Sequence, residues 1–216
     1  VPIHPPAELA AIIEEAHAAG WPCAIHAIGD AANRAVLDAL ERTPRAPSPL
    51  PDRIEHVQTI KPDDALRLGR LGTVASMQPV HVSSDWRAAD RLWGARSRHS
   101  YAWRMLADAG ATLAFGSDAP VEPINPWAGL QVAVTRTDLS GQPEGGWYRE
   151  QRLSLAEALA GFTRGVSAAA SEPNEGYLAP GCRADFLVLA SDPFETDPAQ
   201  LAAIRPVATY VDGCLV

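Results

Sequence analysis

The sequence has few cysteines and no long hydrophobic run, and both shortages exclude classes of protein. Its 216 residues contain three cysteines, Cys23, Cys182 and Cys214, which are widely separated and form no Cys-x-x-Cys pair. This usage favours reduced thiols in a cytoplasmic protein over a disulfide framework or a zinc knuckle. No apolar run approaches the roughly 20 residues of a membrane-spanning helix, and the first residues lack the pattern of a secretory signal peptide. We therefore expect a cytoplasmic location and no membrane partner.

Positive charge and several catalytic motifs are scarce or missing as well. The sequence contains 18 Lys and Arg residues and 26 Asp and Glu residues, which gives a formal net charge of -8. Nucleic-acid binders are usually basic, so no nucleic-acid partner is expected. The G-x-S-x-G motif of α/β hydrolases and the G-x-G-x-x-G motif of dinucleotide-binding proteins are both missing, which argues against those two classes.

The sequence does contain a regular alternation of short apolar runs and amphipathic segments. Strands are predicted at residues 22–26, 53–57, 73–78 and 112–115, with helices at 7–17, 31–41, 61–71 and 101–109. Residues 79–97 are expected to form a long loop. This alternation is typical of βαβ units and predicts an α/β fold with a parallel sheet. Beyond further helices, the pattern becomes strand-like from residue 176, which predicts a small appended β unit.

Three ionisable side chains lie where predicted strands end. His26 and His56 each end a strand, and Asp118 follows the strand at 112–115. The carboxyl ends of parallel strands meet at one edge of a sheet, so these side chains are expected to converge. Imidazole and carboxylate groups are suitable ligands for Zn²⁺ or a similar ion. Two simpler interpretations stay open: the histidines bond the backbone, and Asp118 caps a helix before Pro120.

Four ordered motifs and two segments of the tail carry a resemblance to a known family. The motifs are His26–Asp30, Arg53–Gln58, Ser76–Pro79 and Gly116–Val121, followed by tail segments at 176–186 and 211–213. Together they resemble the metal-dependent amidohydrolases, and the similarity is greatest to the amidohydrolase 3, or YtcJ-like, subgroup. It covers essentially the whole chain, and the tail resembles the segment in which that superfamily returns to its β-sandwich.

The resemblance implies a partial (β/α)8 TIM barrel with an appended β-sandwich segment. Residues 1–175 would hold barrel strands 5 to 8, and residues 176–216 would hold the C-terminal part of the sandwich. The implied reaction is hydrolysis of carbon–nitrogen (non-peptide) bonds by water activated on one or two divalent ions, Zn²⁺ being the expected metal. His26, His56 and Asp118 would bind metal, and Asp118 would also be the general base.

Other polar residues carry weaker expectations. His81 and Trp86, in the expected loop, are candidate substrate contacts, although an ordinary loop histidine is the simpler interpretation of His81. Strand alternation predicts that Glu55, beside His56, faces away from the barrel interior. His17 is expected at the protein surface.

The sequence departs from the family pattern in one respect, because it contains no H-x-H pair. The chain therefore resembles the C-terminal half of such an enzyme. Four strands cannot close a barrel, so a missing N-terminal half or a homo-oligomer would have to cover the open edges. Two interpretations remain: a segment of a metal hydrolase for a small-molecule substrate, or a truncated non-catalytic module or pseudoenzyme that folds by homo-oligomerisation.

Overall fold

The computed structural model describes residues 3–45 and 47–216. The first part of the chain alternates helices and strands as far as β4. These elements are α1 (Pro6–Ala18), β1 (Ala24–Ala27), α2 (Asp30–Arg42), β2 (Arg53–His56), α3 (Pro62–Leu71), β3 (Val74–Met77), α4 (Val82–Trp93), α5 (Trp103–Asp108) and β4 (Leu113–Phe115). The later elements are α6 (Pro126–Thr135), α7 (Leu155–Phe162), α8 (Arg164–Ala170), β5 (Phe186–Leu189), β6 (Pro206–Val211) and β7 (Cys214–Leu215).

The larger sheet has the order β1-β2-β3-β4, and each neighbouring pair of strands is parallel. All four strands therefore end at the same edge, which receives His26 from β1 and His56 from β2. The helices that follow the strands pack against the sheet, and Leu37 of α2 and Leu68 of α3 share one buried cluster with Ile54 of β2. The α/β fold with a parallel sheet that the alternation predicted is confirmed.

Glu55 lies on the same face of this sheet as His26, so the prediction made from strand alternation is wrong. The register pairs Glu55 with His26 on one side and with Ser76 on the other. Arg53, two residues earlier on β2, lies 2.6 Å from the Glu55 carboxylate through its Nε. Alternation fails at His56 because its φ of 75° is not extended. The left-handed backbone at the end of β2 sets the direction of the His56 ring, and strand alternation does not.

Residues 79–97 are mostly helical, so the predicted long loop is also wrong. The 3₁₀ helix Pro79–His81 leads directly into α4, and a second 3₁₀ helix spans Gly94–His99. Four apolar residues of α4 recur every three or four positions and pack on the core, namely Val82, Trp86, Ala89 and Trp93, whereas Leu92 is exposed. This helical period was obscured in the sequence by the intervening serine and charged residues.

Close helix–sheet packing holds β4 beneath α7 and α8. A Cβ atom added to Gly165 would lie 1.8 Å from the carbonyl oxygen of Leu113, and one added to Gly161 would lie 2.4 Å from the Phe115 ring. Only glycine allows both approaches. The strand β4, which leads to Asp118, is therefore packed closely against α7 and α8.

His17 is buried, contrary to the expectation of a surface histidine. Its Nδ1 lies 2.8 Å from the Pro44 carbonyl oxygen, and its Nε2 lies 2.9 Å from Oδ1 of Asp52. The same Oδ1 accepts the Cys23 backbone N–H at 2.8 Å. Burial, followed by the nearby Asp52 charge, raises the pKa of the Cys23 thiol. This cluster joins α1, Pro44, Asp52 and the starts of β1 and β2 at the edge away from His26.

The second sheet is antiparallel, with the order β5-β6-β7, and agrees with the predicted β unit near the end of the chain. The rings of Phe186 and Tyr210 stack across it with centroids 4.6 Å apart. The short strand β7 was not anticipated. Within the described ranges, no helix is both long and apolar enough to cross a membrane.

Candidate metal centre

Three imidazole rings form a row at the carboxyl edge of the parallel sheet. The His26 and His56 ring centroids are 4.5 Å apart in an edge-to-face arrangement. The His56 and His81 centroids are 6.1 Å apart, with the ring planes inclined by 29°. His26 and His56 come from adjacent strands, whereas His81 comes from the 3₁₀ helix that follows β3. The sheet therefore brings together side chains that are up to 55 residues apart in sequence.

His56, His81 and Asp118 have the geometry of a metal-ligand group. Each offers one ligand atom, and these atoms all lie within 4.8 Å of one another. His81 Nε2 and Asp118 Oδ2 are 3.5 Å apart. Zinc binds nitrogen and oxygen ligands at about 2.0–2.2 Å, so ligand atoms on a tetrahedron are about 3.3–3.6 Å apart. The donor set fits a divalent ion in its chemistry, and the His81–Asp118 pair also fits it in spacing.

The backbone at two of these residues adopts an uncommon conformation. His56 has φ 75° and Asp118 has φ 60°, and both values lie in the left-handed region. Non-glycine residues rarely occur there, and each costs on the order of 1–3 kcal/mol. The Val121 N–H donates to the Asp118 carbonyl at 2.8 Å and closes the turn that follows. Backbone strain at side chains that converge on one point is typical of functional sites.

Gln78 supports the ring of His56 from the neighbouring strand. Its Oε1 lies 2.8 Å from His56 Nδ1. Since an amide oxygen only accepts hydrogen bonds, the ring proton is on Nδ1, and Nε2 keeps its lone pair for a ligand. Burial, and then the neighbouring His26, lowers the pKa of His56. The neutral imidazole is the form that binds metal.

A second carboxylate, Glu122, faces the other nitrogen of His81. Its Oε1 lies 3.8 Å from His81 Nδ1, and the Ser84 hydroxyl lies 3.5 Å from the same oxygen. His81 therefore lies between the carboxylates of Asp118 and Glu122. The sequence reasoning missed Glu122, although its position four residues after Asp118 was a usable signal.

Asp85 ties the helix that begins beside His81 to the loop after β2. Its Oδ2 accepts the Tyr101 hydroxyl at 2.6 Å and the Gln58 side-chain amide at 3.1 Å. Burial, and then the Asp85 charge, raises the pKa of Tyr101, which keeps its proton for this bond. Because Gln58 lies two residues after His56, these bonds hold the two histidine-bearing segments together.

The predicted site residues are therefore distributed as follows. His56 and Asp118 converge, and His26 contacts His56 while its side chain remains exposed. His81, predicted as a substrate contact, lies beside Asp118 instead of in an open loop. Trp86 packs against the hydrophobic core, and the Arg87 guanidinium lies 4.2 Å from its ring centroid. One face of that indole is thus covered by the protein itself.

Known proteins resemble this chain in sequence and in structure. It is 35% identical over 218 residues to the putative amidohydrolase YtcJ of Bacillus subtilis (strain 168), covering all of this chain and 41% of that protein. It is 30% identical over 203 residues to the N-substituted formamide deformylase of Arthrobacter pascens, covering 91% of this chain and 36% of that protein. The chain thus spans about two fifths of the length of these relatives.

A solved structure of a hydrolase also resembles this chain. An uncharacterized metal-dependent hydrolase from Pyrococcus horikoshii OT3 superposes with a TM-score of 0.78 at 32% identity, covering 91% of this chain and 39% of that one. The family model described as "Amidohydrolase family" matches residues 1–216. The resemblance inferred from the four motifs is confirmed, and this chain belongs to the amidohydrolase family.

Proposed function

We propose that this chain supplies part of the active site of a metal-dependent hydrolase that cleaves carbon–nitrogen bonds other than peptide bonds. The observation that carries the proposal is the convergence of His56, His81 and Asp118 within 4.8 Å at the carboxyl edge of a parallel sheet. Catalytic groups of α/β enzymes collect at this edge. Membership of the amidohydrolase family supports the same reaction class.

In this proposal His26, His56 and Asp118 are ligands of the one or two divalent ions of the intact enzyme, with Zn²⁺ as the expected metal and His81 as a further candidate ligand. A bound ion supplies Lewis acidity, which allows water to act as a nucleophile near neutral pH. The Asp118 carboxylate accepts the proton of the attacking water and returns it to the leaving nitrogen. Its side chain is 40% exposed, so water and substrate can reach it. Gln78 and Glu122 orient the histidines.

We also propose that residues 1–175 form strands 5 to 8 of a (β/α)8 barrel and that residues 176–216 form part of a β-sandwich domain. Four parallel strands followed by a separate antiparallel sheet support this division. The outer edges of β1 and β4 have no strand partner among the described residues, so a complementary N-terminal half would pair with them. A cytoplasmic location remains a prediction.

Metal content, measured together with mass in solution, tests the proposal. Plasma mass spectrometry after size-exclusion chromatography with light scattering should find about one divalent ion per chain. His56→Ala should abolish binding, and His26→Ala and His81→Ala show which ring is the other nitrogen ligand. His4→Ala is the matched control, because His4 is an exposed histidine that pairs with Glu8 on α1. A metal-free wild-type chain would contradict the proposal for this polypeptide.

The second candidate is a non-catalytic module or pseudoenzyme that folds by homo-oligomerisation. The outer edges of β1 and β4, which are unpaired in the described part of the chain, favour it, since exposed strand edges readily pair with another copy. A stable metal-free dimer in the same experiment would support this candidate. A metal-loaded chain that hydrolyses an N-substituted formamide, the substrate class in the name of one relative, would exclude it.

A further inference from the structure

We propose that a charged cleft beside the candidate metal centre binds the anionic end of the substrate, which makes carboxylate-bearing amides the preferred substrate class. The cleft has a volume of about 370 Å³ and is lined by Asp30, residues 59–63, Arg96 and His99. The substrate assignment rests on the proposed function. Anion binding in the cleft, in contrast, requires no metal and can be tested without it.

The cleft is lined by segments that follow β1 and β2, the two strands that carry His26 and His56. Asp30 follows His26 by four residues, and Thr59 follows His56 by three. An extended chain advances at most about 3.6 Å per residue, so Asp30 lies within about 14 Å of His26 and Thr59 within about 11 Å of His56, measured between Cα atoms. A small molecule with a short spacer can therefore span the two sites.

The cationic side chains of the cleft are available to a ligand. Lys61 is the single lysine of the sequence, and its Nζ is 4.0 Å from Oδ2 of Asp30, which is long for a hydrogen-bonded pair. No carboxylate among the described residues lies within ion-pair distance of the Arg96 guanidinium. Guanidinium and ammonium groups together bind carboxylates well.

Two carboxylates, Asp30 and Asp63, also line the cleft, and the negative charge of each is stabilised by the N-terminus of its own helix. Asp30 Oδ1 accepts the Ala31 backbone N–H at 2.9 Å at the start of α2. Asp63 is in the first turn of α3, where the helix dipole favours a negative charge. These contacts reduce the repulsion that an incoming anion would meet. The protein as a whole carries a net charge of -8, so anion binding at this point must come from local contacts.

The walls of the cleft are held in place before any ligand binds. The hydroxyls of Thr59 and Ser100 are 2.9 Å apart, and these residues also form an isolated antiparallel bridge. The Ile60 N–H donates to the His99 carbonyl at 3.2 Å. Burial, and then Arg98, lowers the pKa of His99, which leaves a neutral ring that can still donate one N–H. A preformed cleft avoids the entropic cost of ordering loops on binding.

The single lysine allows a direct test on the metal-free chain. Lys61 is acetylated in the presence of chelator with a limiting amount of an amine-reactive acetylating reagent, and the extent of the reaction is measured by peptide mapping. N-formyl-6-aminohexanoate should slow this acetylation in a concentration-dependent way, whereas N-hexylformamide, which has the same amide but no carboxylate, should not. Arg96→Gln should weaken the protection about tenfold, as expected for loss of a charge-assisted hydrogen bond. The matched control Arg98→Gln, two residues away and outside the cleft lining, should change it less than about twofold.

Each remaining outcome of this test overturns the inference. Absence of protection, equal protection by the neutral formamide, or equal weakening in Arg96→Gln and Arg98→Gln would show that the cleft is no anion site. Failure of the proposed function would give a different result. A chain that binds no metal would still show carboxylate-dependent protection of Lys61 from acetylation. In an active, metal-loaded protein, equal kcat/KM values for the two formamides would likewise overturn the substrate preference while leaving the hydrolase intact.

Discussion

The Nδ1 atom of His56 lies 2.8 Å from Oε1 of Gln78, and this contact joins the ends of two adjacent parallel strands. His56 ends β2 and Gln78 immediately follows β3. The amide oxygen fixes which ring nitrogen carries the proton, so the other nitrogen keeps its lone pair. A contact between neighbouring strand ends therefore determines how His56 can bind a ligand.

Replacing Gln78 should weaken metal binding without unfolding the protein. Gln78→Leu removes the acceptor for the His56 ring proton, and loss of such an outer contact typically reduces metal affinity about 10–100-fold. Gln78→Glu should restore affinity, since a carboxylate accepts the same bond. Competition with a chromogenic chelator measures the change, and Gln142→Leu, at an exposed position, is the control. Equal affinities for Gln78→Leu and the wild type would contradict the assigned role.

Breaking the buried pair of His17 and Asp52 should strongly destabilise the fold. The two side chains are 4% and 9% exposed. His17→Leu leaves the Asp52 carboxylate buried without its partner, which typically costs about 3–5 kcal/mol of unfolding free energy. Urea denaturation followed by circular dichroism measures this loss. His4→Leu removes an exposed pair and should change stability by less than about 1 kcal/mol. Similar losses in the two variants would contradict the prediction.

The contribution of Glu157 to stability should disappear in acid. Arg104, and then Ser154, lowers the pKa of Glu157 to about 2 in the folded protein, compared with about 4.3 in an unfolded chain. A lowered folded pKa stabilises the protein above the unfolded pKa, and this contribution is lost as pH falls from about 4.5 towards 2. The difference in unfolding free energy between wild type and Glu157→Gln should therefore shrink over that range. The side chain is 41% exposed, so the difference should be modest. A pH-independent difference would contradict this assignment.

Adding a single methyl group to Gly165 should destabilise the sheet. In Gly165→Ala the new Cβ would lie 1.8 Å from the Leu113 carbonyl oxygen, so α8 must move away from β4. Overpacking of this kind typically costs about 1–3 kcal/mol. Gly29→Ala is the control, because a Cβ there meets nothing within 4 Å. Thermal unfolding should separate the two variants by several degrees, and equal midpoints would show that α8 is not held against β4.

The sequence predicted the strands of the larger sheet well, but it predicted the side chains that meet at the carboxyl edge of that sheet only in part. Short apolar runs bounded by turn residues identify buried strands, and parallel strands necessarily share an edge, so His56 and Asp118 could be expected together. Helix α4 was missed because polar residues interrupt its apolar face. The direction of Glu55 was predicted wrongly because strand alternation applies only to extended backbone, and His56 is not extended.

The local sequence determined the α/β class, the parallel order of strands and the family, because each depends on short-range periodicity or on contiguous motifs. The tertiary structure alone decided which side chains meet. His81 lies beside Asp118, Gln78 beside His56, and Lys61 near Arg96 because packing brings together segments that are distant along the chain. Periodicity carries no information about such distances. The placement of each ring and charge therefore follows from the packed fold.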